Sequence, residues 1–347
     1  MIKEFLSQQR SMIAKKIEDA EECLLKETKH VSAFSDDAVR WLCQFSLRGK
    51  MIRGALVILG SSLYAESISD SAYCVAAALE LFQSGLLIHD DIMDNDKIRR
   101  GDRSLHHRYT MELANVNNSP EKTGESLAIC VGDLAFFAAY KLLADAKISP
   151  AILAIISTEY AKVGLAQMDD VYYSSTNKEI LLEDVLRVYR YKTGRYTFSL
   201  PLAVGAMLAE APQEDIRLLE GIGELLGQAF QVMDDVIGIM GSSDITGKPE
   251  GSDIKEGKRT VLWLLLKDRL ELSQQEKILS LWGRDISSYQ LNKIRKAIED
   301  LGVLDEIKKM ISEWNAEILN NLKALSIDTK KKKILEELVK YNTERSF

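Results

Sequence analysis

Apolar residues recur at three-and-four spacing through most of the chain, the period of a helix that buries one face. Residues 3–29 show it, as do 37–46, 50–64 and 69–95. Further stretches follow at 125–146, 149–173, 180–190, 193–210, 213–240 and 259–269, with shorter pieces to the end. Alternation of the strand type is nearly absent. Polar segments with turn chemistry separate the helical ones at 115–120, 174–177 and 242–257. None is rich enough in Pro, Gly or Ser to mark a linker, and no internal repeat is visible. The pattern predicts one all-α domain over residues 1–347, with ten or more helices.

Composition agrees with that picture. Of 347 residues 46% are hydrophobic, enough for a sizeable core, while only 20 glycines and 5 prolines leave little for a turn-rich β fold. Acidic residues outnumber basic ones by 52 to 45, a net charge of -7, so no general attraction to nucleic acid or anionic lipid is expected. Cys23, Cys43, Cys74 and Cys130 lie far apart with no C-x-x-C pair, and read as reduced thiols of a cytoplasmic protein, with Cys74 and Cys130 in the core. Uninterrupted apolar runs such as 134–140 fall short of the roughly 20 residues that cross a bilayer, so no transmembrane segment is expected, although a greasy substrate is not excluded.

Two stretches contradict their surroundings. The apolar helix predicted at 69–95 ends in Asp90-Asp-Ile-Met-Asp94, and the one at 213–240 carries Asp234-Asp235. Carboxylates after a buried apolar run cost several kcal/mol of desolvation unless something neutralises them. Asp90 and Asp94 are one helical turn apart, the spacing at which two carboxylates share a hard cation. With oxygen ligands only, and no Cys or His cluster, the chemistry suits Mg²⁺ together with a phosphorylated ligand. Cations stand beside each site: Lys97, Arg99 and Arg100 by the first, Lys248, Lys255, Lys258 and Arg259 by the second. Such groups clamp a polyphosphate. A purely structural salt-bridge network is the alternative.

The aspartate motif followed by Arg99-Arg-Gly101 resembles the first aspartate-rich motif of the trans-isoprenyl diphosphate synthases, the family of farnesyl and geranylgeranyl diphosphate synthases, and Phe230-Gln-Val-Met-Asp-Asp235 resembles the second. Supporting matches run in order: Gly49-Lys-Met-Ile-Arg53, Gly132-Asp133, Gln167-Met-Asp-Asp170, Lys192-Thr193, and Thr246-Gly-Lys248 through Lys258-Arg-Thr260. The resemblance implies the isoprenoid synthase fold, a single large helical bundle around a central cavity, and a homodimer. It also implies a head-to-tail condensation of an allylic diphosphate with isopentenyl diphosphate. Asp90, Asp94 and Asp234 would then hold magnesium, with Asp91 and Asp235 supporting. Arg99, Lys192, Lys258 and Lys248 would bind the allylic diphosphate, and Lys50, Arg53, Gln83 and Arg100 the diphosphate of isopentenyl diphosphate. Thr193 and Gln231 would turn their dipoles toward the allylic cation, although Thr193 is also suited to capping the helix after it. His89 would be a hydrogen-bonding group behind the first motif.

This chain departs from the family pattern twice. Gly238 stands where many members have a third aspartate, which weakens the second cluster, and Gly54 replaces the usual proline after Arg53, a change expected to alter only helix geometry. Product length is read from the wall below Asp90. Gly85 and Phe82 lie about 7 and 12 Å down the helix at 1.5 Å per residue. A growing tail would pass Gly85 and meet Phe82 as a floor, unless Phe82 is ordinary core packing. That predicts mainly a C20 product, geranylgeranyl diphosphate, with farnesyl (C15) and C25 diphosphates as the alternatives. A class I terpene cyclase and a catalytically silent subunit of a heteromeric synthase are the competing functions.

Overall fold

The computed structural model describes residues 2–176, 178–241 and 250–343. Its elements are α1 (Ile2–Thr28), α2 (Ser35–Leu47), α3 (Ile52–Ser62), α4 (Asp70–Met93), α5 (Leu105–Leu113), α6 (Pro120–Asp145), α7 (Pro150–Ser175) and α8 (Leu182–Tyr189). A π-helix (Arg190–Ser199) follows, then α9 (Leu200–Leu208), α10 (Gln213–Met240), the one-turn α11 (Ser252–Lys255), α12 (Val261–Arg269), α13 (Leu272–Leu279), α14 (Ser288–Asp300), α15 (Val303–Ala324) and α16 (Thr329–Thr343). The all-α expectation holds. Among the described residues the only strands are the two-residue β1 (Ile98–Arg99) and β2 (Asp102–Arg103), an antiparallel hairpin.

The chain packs as two compact units, one of residues 3–153 with 204–211, the other of 154–203 with 212–347. In the first, α4 is the central helix, with Val75 to Leu79 fully buried and α3 and α6 beside it. Ser69 caps its N-terminus by accepting from the Ala72 amide, satisfying one donor that the first turn leaves open. Trp41, Phe45, Ile88, Leu105, Tyr109 and Val131 form a cluster against the face of α4 that leads to its acidic end. By length and composition α4 and α6 are each apolar enough to span a bilayer, although neither holds an uninterrupted apolar run of that length; 78% of the apolar stretch of α4 and 39% of that of α6 is buried inside the protein.

Gly54 does more than alter helix geometry. Its amide donates to Glu80 Oε1 at 2.9 Å, within the buried contact between α3 and α4. Proline there would remove the donor and leave a buried carboxylate oxygen short of a partner.

In the second unit α10 runs through a core of Val185, Tyr189, Ala229, Val232, Val236, Ile254, Leu262 and Ile294. The π-helix lies against it. The two backbones meet at glycines: a Cβ on Gly227 would fall 2.1 Å from Gly194 Cα, so α10 accepts no side chain at the crossing. On the other side Arg195 holds Glu159 of α7 with two bonds, at 2.8 and 3.0 Å, and Glu224 of α10 at 2.9 Å. Periodicity predicted one helix over 193–210; the structure winds 190–199 more widely before α9 begins, and such segments concentrate at functional sites.

Candidate active site

The acidic end of α4 is built around a buried carboxylate. Asp91 is fully buried; its Oδ1 accepts from Arg99 Nε at 2.5 Å, and its Oδ2 has no hydrogen-bond partner. Burial pushes the Asp91 carboxyl up, to about 7, against the pull of Arg99. Asp90 and Asp94 flank it with side chains partly open to solvent. Arg99 also reaches Asp96 at 2.9 Å and Asp90 at 3.8 Å. Asp91 is therefore the inner brace of the cluster, tying the β-hairpin to α4, while Asp90 and Asp94 present the accessible oxygens. Asp96 was not singled out from the sequence: it lies past the end of α4, where no helical spacing links it to Arg99.

Arg100 sits at the hairpin turn with φ +54, and its guanidinium donates to the Phe45 carbonyl at 2.6 Å. Burial lowers its affinity for the proton, to about 10. Arg53 is among the charges that act on it, so the structure draws together two of the four residues expected at the isopentenyl diphosphate. Gln83 is buried on α4 with an Oε1 that has no donor, and Lys50 is exposed just before α3. His89 has its Nε2 3.1 Å from the Ile129 carbonyl and 3.7 Å from Asp133, a bracing position consistent with its expected place behind the motif.

The chain-length wall differs from expectation. A Cβ at Gly85 would lie 2.6 Å from Phe136 Cε1 and 2.8 Å from the Gly132 carbonyl, so no open groove runs past Gly85 on the α6 side. Phe136 stacks on Phe82 at 6.3 Å, and Tyr140 meets Phe82 edge-on at 5.0 Å. Phe82, 2% exposed, is thus part of an aromatic cluster whose other members come from α6. The spacing along α4 alone carries no sign of a ring delivered from α6.

In the second unit the π-helix carries Lys192 and Thr193. Lys192 bonds Asp170 of α7 at 2.5 Å, which gives the last aspartate of the Gln167-Met-Asp-Asp170 motif a holding role. Thr193 donates to Gln231 Oε1 at 2.8 Å, so it is not a helix cap, and Gln231 Nε2 donates to Asp235 Oδ1 at 3.0 Å. Asp235 Oδ2 accepts from Tyr189, whose hydroxyl also takes the Val261 amide at 3.2 Å. Both oxygens of Asp235 are therefore engaged inside the protein, and burial, then Asp253, push its carboxyl well above the usual range. Asp235 orients Gln231, and through it Thr193; Asp234, half-buried on the adjoining face, is the carboxylate able to meet a cation. Tyr189 escaped the sequence argument because nothing in 180–190 marks it off from an apolar core position.

Lys258 pairs with Glu256 at 2.6 Å and approaches Asp253 at 3.7 Å. Thr260, in the same motif, caps α12 by accepting from the Trp263 amide. Lys248 lies outside the described residues. Cys43 and Cys74 are buried, whereas Cys130, expected in the core, is exposed.

Residues 40–301 match the family model described as polyprenyl synthetase, and the chain belongs to that family. Its members act on prenyl diphosphates with divalent metal, and the chain is a trans-prenyltransferase. It is 32% identical over 256 residues, 73% of this chain and 72% of the other, to a short chain isoprenyl diphosphate synthase of Methanocaldococcus jannaschii. It is 31% identical over 250 residues, 70% and 71% of the two chains, to a geranylgeranyl diphosphate synthase of Sulfolobus acidocaldarius. A crystal structure of geranylgeranyl pyrophosphate synthase from Corynebacterium glutamicum, complexed with isoprenyl diphosphate and magnesium, superimposes over all of both chains with a TM-score of 0.88 at 30% identity.

Proposed function

We propose that this prenyltransferase is magnesium-dependent and makes mainly geranylgeranyl diphosphate from an allylic diphosphate and isopentenyl diphosphate. The acidic end of α4 carries the reading: Asp90 and Asp94 are one turn apart and partly open to solvent on either side of a braced, buried Asp91. That donor set, oxygen only and partly solvated, fits a cation that keeps several waters and binds substrate phosphate. Asp90, Asp94 and Asp234 would hold the ions, which neutralise charge on the departing diphosphate when bound.

The chain's own groups do the rest. Arg99, Lys192, Lys248 and Lys258 bind the allylic diphosphate and stabilise the charge that grows on it as the carbon–oxygen bond breaks. Lys50, Arg53, Gln83 and Arg100 hold the diphosphate of isopentenyl diphosphate so that its alkene meets the allylic cation, and orientation of the pair lowers the barrier further. Gln231 and Thr193, fixed in one hydrogen-bonded row by Asp235, present dipoles to that cation. A proton then leaves the new bond's neighbour for the released diphosphate, and no covalent enzyme intermediate is required.

A homodimer is part of this proposal. It is supported by apolar side chains left exposed along α6, Ile129 at 44%, Phe137 at 70% and Tyr140 at 37%. The deciding experiment incubates the purified full chain with Mg²⁺, farnesyl diphosphate and labelled isopentenyl diphosphate, and separates the hydrolysed products by chromatography. A C20 alcohol is expected. A cyclic hydrocarbon would identify a cyclase, and absence of turnover a silent subunit.

A further inference from the structure

The π-helix carries Lys192 and Thr193, and an arginine stands two residues outside each of them, Arg190 before and Arg195 after. Around an α-helix, residues five apart point about 140° away from each other. A π-helix bonds each amide to the carbonyl five residues back and so brings such a pair nearly one above the other. In the structure both arginines reach one side chain of α10. Arg190 Nε lies 2.6 Å from Glu224 Oε1, and Arg195 Nη1 lies 2.9 Å from Glu224 Oε2, so a single carboxylate brackets the segment that holds Lys192 and Thr193.

We propose that Glu224 is a positioning residue: by holding Arg190 and Arg195 together it selects the π winding of 190–199 and thereby sets Lys192 and Thr193 for the allylic substrate. That role rests on the reading of Lys192 and Thr193 as active-site groups. The Glu224 side chain is 14% exposed, and its backbone abuts the same segment, since a Cβ at Gly194 would lie 3.1 Å from the Glu224 carbonyl. Arg195 is fixed from its other side by Glu159, itself bonded to Lys162 at 2.8 Å. A partly buried ion cluster of this kind adds little net stability over apolar packing, and its best-attested use is to fix a register. The register matters here because Lys192 meets Asp170 at 2.5 Å and Thr193 meets Gln231 at 2.8 Å. Rewinding the segment as an α-helix would turn both side chains away from those partners.

Steady-state turnover is measured for Glu224→Gln, which keeps the shape and removes the charge, and for Arg190→Gln and Arg190→Lys at the more exposed end of the bracket. Glu224→Gln is expected to lower kcat about tenfold or more, with KM for isopentenyl diphosphate little changed. Arg190→Gln should act in the same direction, and Arg190→Lys should recover most of the loss, because an ammonium still meets the carboxylate as a point charge. A second background separates positioning from general support of the fold. In protein carrying Lys192→Ala and Thr193→Val, Glu224→Gln should cause no further fall in the residual kcat, since residues that act through one another are not additive. Equal falls in the two backgrounds overturn the proposal, as does a kcat for Glu224→Gln within about twofold of the unaltered protein. If circular dichroism shows Glu224→Gln unfolded, the Arg190 pair decides on the same criteria. Full turnover in the Lys192→Ala, Thr193→Val protein removes those two residues from the active site, and the positioning role falls with them.

Discussion

Glycine at position 85 looks from the sequence like a gap in a wall, and in the structure the gap is filled by Phe136. The distinction changes which residue limits the product. If the aromatic pair of Phe82 and Phe136 stops the tail, Phe136→Ala should lengthen the main product by one or two isoprene units, and Phe82→Ala should act in the same direction. Chromatography of labelled products tests both; an unchanged length distribution in the two variants would remove the pair from the account. A second residue, His106, governs an acid sensitivity. It is buried 3.3 Å from Ser104 Oγ, and burial, with His107 assisting, depresses its proton affinity below the ordinary value of 6.5. The unfolded chain then binds a proton near pH 6.5 that the folded protein takes up only at lower pH. Its stabilising contribution is complete above pH 6.5 and declines as pH falls below it. Denaturant titrations at pH 7.5 and 5.5 should show the loss, and His106→Gln should flatten it. At this scale the charged residues of the candidate site were legible in the sequence, because charge in an apolar setting is conspicuous. It did not mark Tyr189, Asp253 or Phe136, whose side chains are ordinary until a neighbour from another element makes them matter.

Elements were more legible than their packing. Periodicity predicted α1 to α4, α6 to α8 and α10 within a few residues, since each buries one stripe along its length. It passed over α5, whose nine residues include two histidines and bury only Leu105, His106 and Tyr109. It also could not tell a π-helix from an α-helix at 190–199, a segment whose glycine contact with α10 and Arg195 bridges involve residues far away in sequence. That contact should be intolerant of change. Gly227→Ala drives a methyl group into the Gly194 backbone, which a side-chain rotation cannot relieve, and should cost about 3 kcal/mol, the upper end for overpacking. A thermal melt should show the drop, and the same variant should lose turnover as Lys192 and Thr193 shift from their partners.

For the molecule as a whole, the proposed dependence on a hard divalent cation means that chelation should abolish turnover, with full recovery when Mg²⁺ is returned. The circular dichroism spectrum should stay unchanged throughout, since the acidic end of α4 is braced by Arg99 without an ion. The exposed stripe on α6 carries one more consequence. Cys130 stands two turns before Phe137 on the same side of that helix, while Cys43 and Cys74 are shielded in the interior. A thiol-reactive dye, with its reaction at position 130 resolved from that at the half-exposed Cys23, would therefore report the proposed association: labelling of Cys130 should slow as concentration rises, giving an account of assembly from a native atom.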